Sequence, residues 1–255
     1  MSEPVITAPA DAAMARQWFY PYRLPDGRTV PSTHDHRLDA IHHTRSALLA
    51  RALRQHFPNG VAGLRALDLA CHQGWFSVQL ARYGFAEVVG VDARPEHVAD
   101  TALIAQALNL PQIRTVQSDV HAVAGLGLGE FDVVLNFGLI YHLENPVGAL
   151  RVTRAMCRGM AAVETQVVPH LSGNVDWGHH TFVKPLMGCF GIIDETEETH
   201  GPEMSTTGIC LAPSTPALIW ILEKCGFRDV AVVPPDEDAY EQHRYGKRVV
   251  VAGRV

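Results

Sequence analysis

The spacing of apolar positions changes character along the chain. Residues 38–57 carry Leu38, Ile41, Leu48, Leu49 and Leu53 at helical intervals, and Pro58-Asn59-Gly60 then ends the run, which predicts a helix. From Leu64 onward, short apolar runs alternate with amphipathic stretches. Residues 64–70, 86–92, 112–118, 131–138 and 160–168 read as strands, and 74–83, 95–108 and 146–157 as helices between them. Strands joined by helical crossovers imply an α/β architecture with a parallel, doubly wound sheet. Residues 169–213 break the rhythm with much Gly, His, Thr and Glu, as a substrate-facing insertion after the fifth strand would. A helix over 215–225 follows, with Gly226 as its C-cap, and then strands at 228–233 and 247–254 that pair antiparallel at the sheet edge. Residues 1–37 hold aromatics and prolines without a period and read as an irregular arm or lid. The expected organisation is an arm over 1–37 and one domain over 38–255, with a cap insertion at about 169–213.

Composition narrows the function. The 255 residues, 47% hydrophobic, suit one large domain with a real core. The net charge of −6 is spread along the chain, which argues against a nucleic-acid partner held by phosphate contacts. No run approaches the ~18 apolar residues of a membrane helix, and Met1–Asp11 lacks a secretory signal pattern, so no membrane partner is expected. The five cysteines form no C-x-x-C pair, which fits reduced thiols and a cytoplasmic location. His34, His36, His42 and His43 have Arg37 between them and no cysteine nearby, so they read as a solvated helix start and no metal is expected. Gly125, Gly127 and Gly129 precede a strand and read as a connector, and the acidic run from Asp194 to Glu203 as a solvated loop. Oligomeric state is left open, a dimer included.

The chemistry concentrates at strand ends. The first strand ends in Asp68-Leu69-Ala70-Cys71-His72-Gln73-Gly74 and a helix opens at Trp75. Ligands of a doubly wound sheet sit at such C-terminal ends, where Gly74 lets the backbone approach. The acid at the head of this turn suits a cationic amino group and repels a pyrophosphate. The second strand ends in Asp92-Ala93, where a carboxylate can accept from both ribose hydroxyls. The third ends in Ser118-Asp119-Val120, where Asp119 can accept from an adenine amino group. Three acids at successive strand ends are far more specific than any one.

These residues resemble the class I S-adenosylmethionine-dependent methyltransferases. ALDLACHQGWFS is similar to their glycine-rich first motif, and VVGVDAR, VQSDV and FDVVLNFGLIYHLENP to the next three. The resemblance implies a Rossmann-like seven-stranded sheet. It also implies S-adenosylmethionine as cosubstrate, held by Asp68, Ala70, His72, Gly74, Asp92, Ala93, Asp119, Val120 and Asn136. Ala70 stands where that family has a glycine, and a negative φ would accommodate it. GLIYHLENPVGALR is similar to a segment of the tRNA uridine-5-oxyacetate-forming enzymes and their small-molecule relatives. Those tRNA enzymes hold a carboxylated cofactor with an arginine that Met204–Gly208 lacks, so the ordinary cofactor is expected here.

Asn136, Tyr141 and His142 follow the fourth strand, beside the expected sulfonium. Tyr141 can steer a substrate or place its ring against the cation, and His142 can take a proton from a nucleophile. The insertion adds Trp177, His179, His180, Ser205 and Thr206, and the arm adds Trp18, Tyr20, Tyr22 and Arg23 as groups that could close the pocket. The expected activity is methyl transfer to a small-molecule acceptor in secondary metabolism. The alternative is a cyclase in which the cofactor's own amine attacks its γ-carbon, giving azetidine-2-carboxylic acid and methylthioadenosine. Asn136, Tyr141, Trp177 and Ser205 would serve it. A third reading is a non-catalytic binding module on the same fold.

Overall fold

The first long helix forms because its buried face repeats every three to four residues: α2 (Asp39–His56) hides Thr44, Arg45, Leu48, Leu49, Ala52 and Leu53. In this computed structural model, residues 8–33, 39–175, 178, 184–196, 198, 205 and 207–255 are described. A short helix α1 (Pro9–Met14) precedes α2. Strands β1 (Arg65–Leu69), β2 (Glu87–Asp92), β3 (Ile113–Gln117), β4 (Phe131–Phe137) and β5 (Cys157–Gln166) then alternate with helices α3 (Trp75–Tyr83), α4 (Pro95–Ala107) and α5 (Pro146–Ala155). Between β3 and β4 the crossover is only a 3-10 turn, Val120–Gly125, and a second one, Ile140–His142, follows β4. After the insertion come α6 (Thr215–Cys225), β10 (Arg228–Val232), α7 (Glu241–Arg244) and β11 (Arg248–Arg254).

The seven-stranded sheet runs β10-β11-β5-β4-β1-β2-β3. The five strands β1–β5 are parallel, while β11 pairs antiparallel with both β5 and β10. The expected edge pair is therefore present, with its second member inserted between β10 and the parallel strands. The order reverses at β1, between β4 and β2, so the ligand crevice of such a sheet lies above the C-terminal end of β1.

Successive side chains alternate between the two faces. Ala66, Val88, Val133 and Leu135 pack into the core beneath α2 and α3. Leu67, Leu69, Val89, Val91 and Val134 pack on the other face with α5 and α6 residues such as Leu150 and Leu218. Among the described residues of the insertion are two small antiparallel pairs, β6 (Asn174–Val175) with β7 (Lys184–Pro185) and β8 (Phe190–Asp194) with β9 (Ile209–Pro213). Strand β5 starts at Cys157, inside the stretch expected to be helical, because α5 ends at Ala155 and the chain pairs with β4 from Phe131 onward.

The described part of the arm is not loose. Trp18, Tyr22, Leu24 and Val30 are buried, and the Tyr22 hydroxyl donates to the Gln73 carbonyl at 2.8 Å. Gln73 Oε1 accepts from the Phe19 amide at 2.6 Å, and its Nε2 donates to Asp100 on α4 at 2.9 Å. Arg16 pairs with the same Asp100. One glutamine after β1 thus ties the arm to the sheet and to α4. Among the described residues, no helix is long and apolar enough to cross a membrane.

Candidate functional site

A cavity of about 290 Å³ opens over the C-terminal ends of β1, β2 and β4. Its walls include Phe19 and Tyr20 from the arm, Arg45 from α2, Ala70 and His72 after β1, and Asp92, Ala93 and His97 at β2–α4. Asp119 and Val120 follow β3, Gly138, Tyr141 and His142 follow β4, and Ser205 comes from the insertion. The structure therefore brings Ala70, His72, Asp92, Ala93, Asp119, Val120, Tyr141, His142 and Ser205 to one place.

Three expected residues are elsewhere. Asp68 follows the alternation of β1 and points to the α3 face, where Ser77 Oγ donates to it at 2.7 Å. Burial pushes its carboxyl up to about 7, against that hydrogen bond. Asn136 falls on the α5 face, where its Nδ2 donates to Thr153 Oγ1 at 3.1 Å. Gly74 is not in the cavity wall, and a Cβ there would meet Thr101 Cγ2 of α4 at 2.8 Å. Trp177, His179, His180, Thr206, His34 and His36 lie outside the described residues. His42 is not solvated, since it is buried beside the rings of Tyr20, Phe19 and Trp75, at 4.8, 5.6 and 5.9 Å between centroids. Of the arm residues expected near the pocket, Tyr20 reaches it, Trp18 and Tyr22 are core, and Arg23 is exposed.

The turn after β1 is strained. Ala70 has φ +57° and His72 φ +52°, so the negative φ expected for Ala70 is not adopted. A non-glycine residue held in the left-handed region costs roughly 1–2 kcal/mol. The geometry is enforced from two sides: the His72 amide donates to Asp92 Oδ2 at 2.9 Å, and Thr101 Oγ1 donates to the His72 carbonyl at 2.9 Å. Ala70→Gly is expected to relieve the strain and raise stability by up to about 1 kcal/mol, or roughly 2–4 °C in a melting scan. An unchanged or lower melting temperature would show that the turn carries no strain at this position.

Asp92 is the best-held acid of the site. It accepts from the His72 amide, from the Arg94 amide at 3.0 Å, and faces His97 Nδ1 at 3.2 Å. Burial works to raise its pKa, yet the His97 and amide hydrogen bonds leave it below the ordinary carboxylate value. Asp119 is more exposed and caps its 3-10 turn, accepting from the His121 amide at 2.8 Å.

Sequence reasoning missed a buried ion cluster on the β4–β5 side. Arg45 Nη2 lies 2.9 Å from Glu164, which also accepts from Arg248 Nη1 at 2.9 Å, and His243 Nε2 is 3.6 Å away. Arg248 Nη2 donates to the Tyr141 hydroxyl at 3.1 Å. Gly138 (φ +71°) is needed here, because a Cβ would sit 2.8 Å from Arg45 Nη2. The two arginines hold the Glu164 carboxyl well below its ordinary range in spite of burial. Two guanidinium groups against one carboxylate leave a surplus positive charge at this end of the cavity. Nothing in the helical period of α2 names Glu164, on a strand more than a hundred residues later, as the partner of Arg45.

A second missed group is Glu195, placed by its sequence in an exposed acidic run. It is buried instead, 2.7 Å from His142 Nδ1, and it accepts from the Ser205 amide at 2.9 Å.

Comparison with known proteins agrees with this geometry. The seven-stranded sheet is the class I methyltransferase fold. It superposes on the N-terminal domain of EvdMO1, solved with SAH bound, with a TM-score of 0.68 at 20% identity, covering 96% of this chain and 94% of that one. The ubiquinone biosynthesis O-methyltransferase of Cereibacter sphaeroides is 34% identical over 149 residues, 57% of this chain and 56% of the relative. The tRNA U34 carboxymethyltransferase of Shewanella denitrificans is 26% identical over 217 residues, 82% of this chain and 57% of the relative. The chain thus spans little more than half the length of these curated relatives. A family model described as a methyltransferase domain matches residues 41–232, from the helix that carries Arg45 to the end of β10, and the chain belongs to that family.

Proposed function

We propose that this chain is an S-adenosylmethionine-dependent methyltransferase acting on a small-molecule acceptor in the cytoplasm, within secondary metabolism. The observation that carries the reading is the division of charge along the cavity. Asp92 and Asp119 stand at the ends of the adjacent strands β2 and β3, and the surplus cation of Arg45 stands across the β1 end. That order fits a ligand with an adenine and a ribose at one end and an amino-acid carboxylate at the other. Asp92 accepts from ribose hydroxyls and Asp119 from the adenine amine, with Ala93 and Val120 against the base. The backbone from Ala70 to His72 passes beneath the ligand. Arg45 meets the carboxylate, and Phe19, Tyr20, Phe76 and Phe137 exclude water from the reacting centre. Bound there, the cofactor supplies a methyl group on a sulfonium leaving group. The protein's part is to align the acceptor and keep the path dry. Support for methyl transfer to a small molecule comes from the relatives named for ubiquinone biosynthesis. The acidic balance of the chain speaks against a tRNA acceptor.

The test is mass spectrometry of products formed from S-adenosylmethionine, with and without a small-molecule cell extract. S-adenosylhomocysteine that depends on the extract is the expected result. Methylthioadenosine formed from the cofactor alone would replace this reading with cyclisation. Tight binding with neither product would replace it with a binding module.

A further inference from the structure

We infer that His142 is the general base for an acceptor hydroxyl of phenolic or enolic type, and that Glu195, delivered by the insertion, is the residue that positions it. The inference rests on the methyltransferase reading and names its acceptor class. His142 belongs to the 3-10 turn after β4, and its ring forms part of the cavity wall. Its Nδ1 lies 2.7 Å from a carboxylate oxygen of Glu195. A histidine anchored in this way keeps its proton on Nδ1 and turns the basic Nε2 to the opposite side of the ring.

The anchor is built for that purpose. Glu195 follows β8 directly and is 3% exposed. Burial opposes its ionisation, but His142 and the Ser205 amide hold its carboxyl below the ordinary value, so it stays charged. Burial pushes the thiol of Cys210, its neighbour on β9, up to about 11, so that thiol stays neutral. The Leu211 amide donates to the Leu143 carbonyl at 3.1 Å, which fastens the β8–β9 pair to the turn that carries His142. The Tyr141 ring lies tilted against that of His142, 4.1 Å between centroids, and its hydroxyl is itself held by Arg248.

The acceptor oxygen forms a bond to the methyl carbon as the carbon–sulfur bond breaks, and the electron pair goes to sulfur, leaving a neutral thioether. The hydroxyl proton passes to Nε2 of His142. The positive charge lost at sulfur reappears on an imidazolium beside the Glu195 carboxylate, and the proton then leaves to solvent. Phenolic hydroxyls, which titrate near pH ~10, are within reach of such a base.

Three measurements test this. First, calorimetry with S-adenosylhomocysteine establishes cofactor binding; its absence would sink the methyltransferase reading itself and is read separately. Second, long-range proton–nitrogen spectra of the wild type at pH 8 should place the His142 proton on Nδ1; a proton on Nε2 overturns the inference. Third, methylation of catechol is compared with that of 4-nitrophenol, already ionised at pH 8, with aniline and thiophenol as controls. His142→Ala should lower the catechol rate about 100-fold and Glu195→Gln about 10-fold, from the usual size of general-base catalysis. The losses on 4-nitrophenolate should be at least about tenfold smaller. Equal losses on both phenols, or a wild type that methylates only aniline or thiophenol or none of the four probes, would overturn it.

Discussion

Replacing Glu164 by glutamine is expected to lower the free energy of unfolding by about 3–5 kcal/mol, the usual cost of breaking a buried ion pair from one side. Glu164 is fully buried at the end of β5, between Arg45 of α2 and Arg248 of β11, each 2.9 Å away. Glutamine keeps the shape but removes what is, among the described residues, the only carboxylate paired with these two guanidinium groups, both of which are also buried. The melting temperature should fall on the order of 10 °C, since 1 kcal/mol is worth roughly 2–4 °C in a chain of this size. The sign with pH is fixed by the direction of the shift. The folded-state pKa of Glu164 lies far below its ordinary value of 4.5. Its contribution is therefore complete above that value and fades as pH falls below it, so wild type and variant should converge in acid. Adding Arg248→Met to Glu164→Gln should recover part of the loss by removing one uncompensated charge. A single variant within about 1 kcal/mol of wild type at pH 7, measured by urea titration, would mean that the cluster is more hydrated than its burial indicates.

Much of the fold was legible because it rests on period and punctuation. The helix over 215–225 matches residue for residue, since Ser214-Thr215-Pro216 opens it and Gly226, at φ +101°, closes it. The strand ends carrying Asp92 and Asp119 were legible for the same reason. The rest of the site depended on quantities that a linear reading carries poorly. Asp68 and Asn136 sit inside their strands, each one position from the end, where alternation alone decides the face; it turns Asp68 under α3 and Asn136 under α5. The even count from Ala66 to Asp68, and from Val134 to Asn136, was the available signal. Arg45 and Glu164 are far apart in sequence, and each looks like an ordinary surface charge until the topology places β5 beneath α2. Glu195 was hidden by its acidic neighbours. The only hint was the apolar run Phe190 to Ile193 just before it, a strand that delivers its next residue inward.

Asp92→Ala is expected to weaken S-adenosylhomocysteine binding at least about 100-fold, and the reason is that one side chain does two jobs. Its carboxylate faces the cavity, where ribose hydroxyls would donate to it. Charge-assisted hydrogen bonds of this kind are worth about 1.5–3 kcal/mol each, and about 2.7 kcal/mol is a factor of 100 in affinity. The same carboxylate also takes the amides of His72 and Arg94, so its loss frees the strained turn at Ala70–His72 that would pass beneath the ligand. Asp119 is the informative comparison. It lines the same cavity, but its side chain is mostly exposed, and water can replace it. Asp119→Ala should therefore cost about tenfold or less. Calorimetry on the three proteins separates the cases, with a melting scan of each to show that the sheet is intact. Equal affinity in the Asp92 variant would remove the strand-end carboxylate from the site and, with it, the reason for placing the ribose at β2.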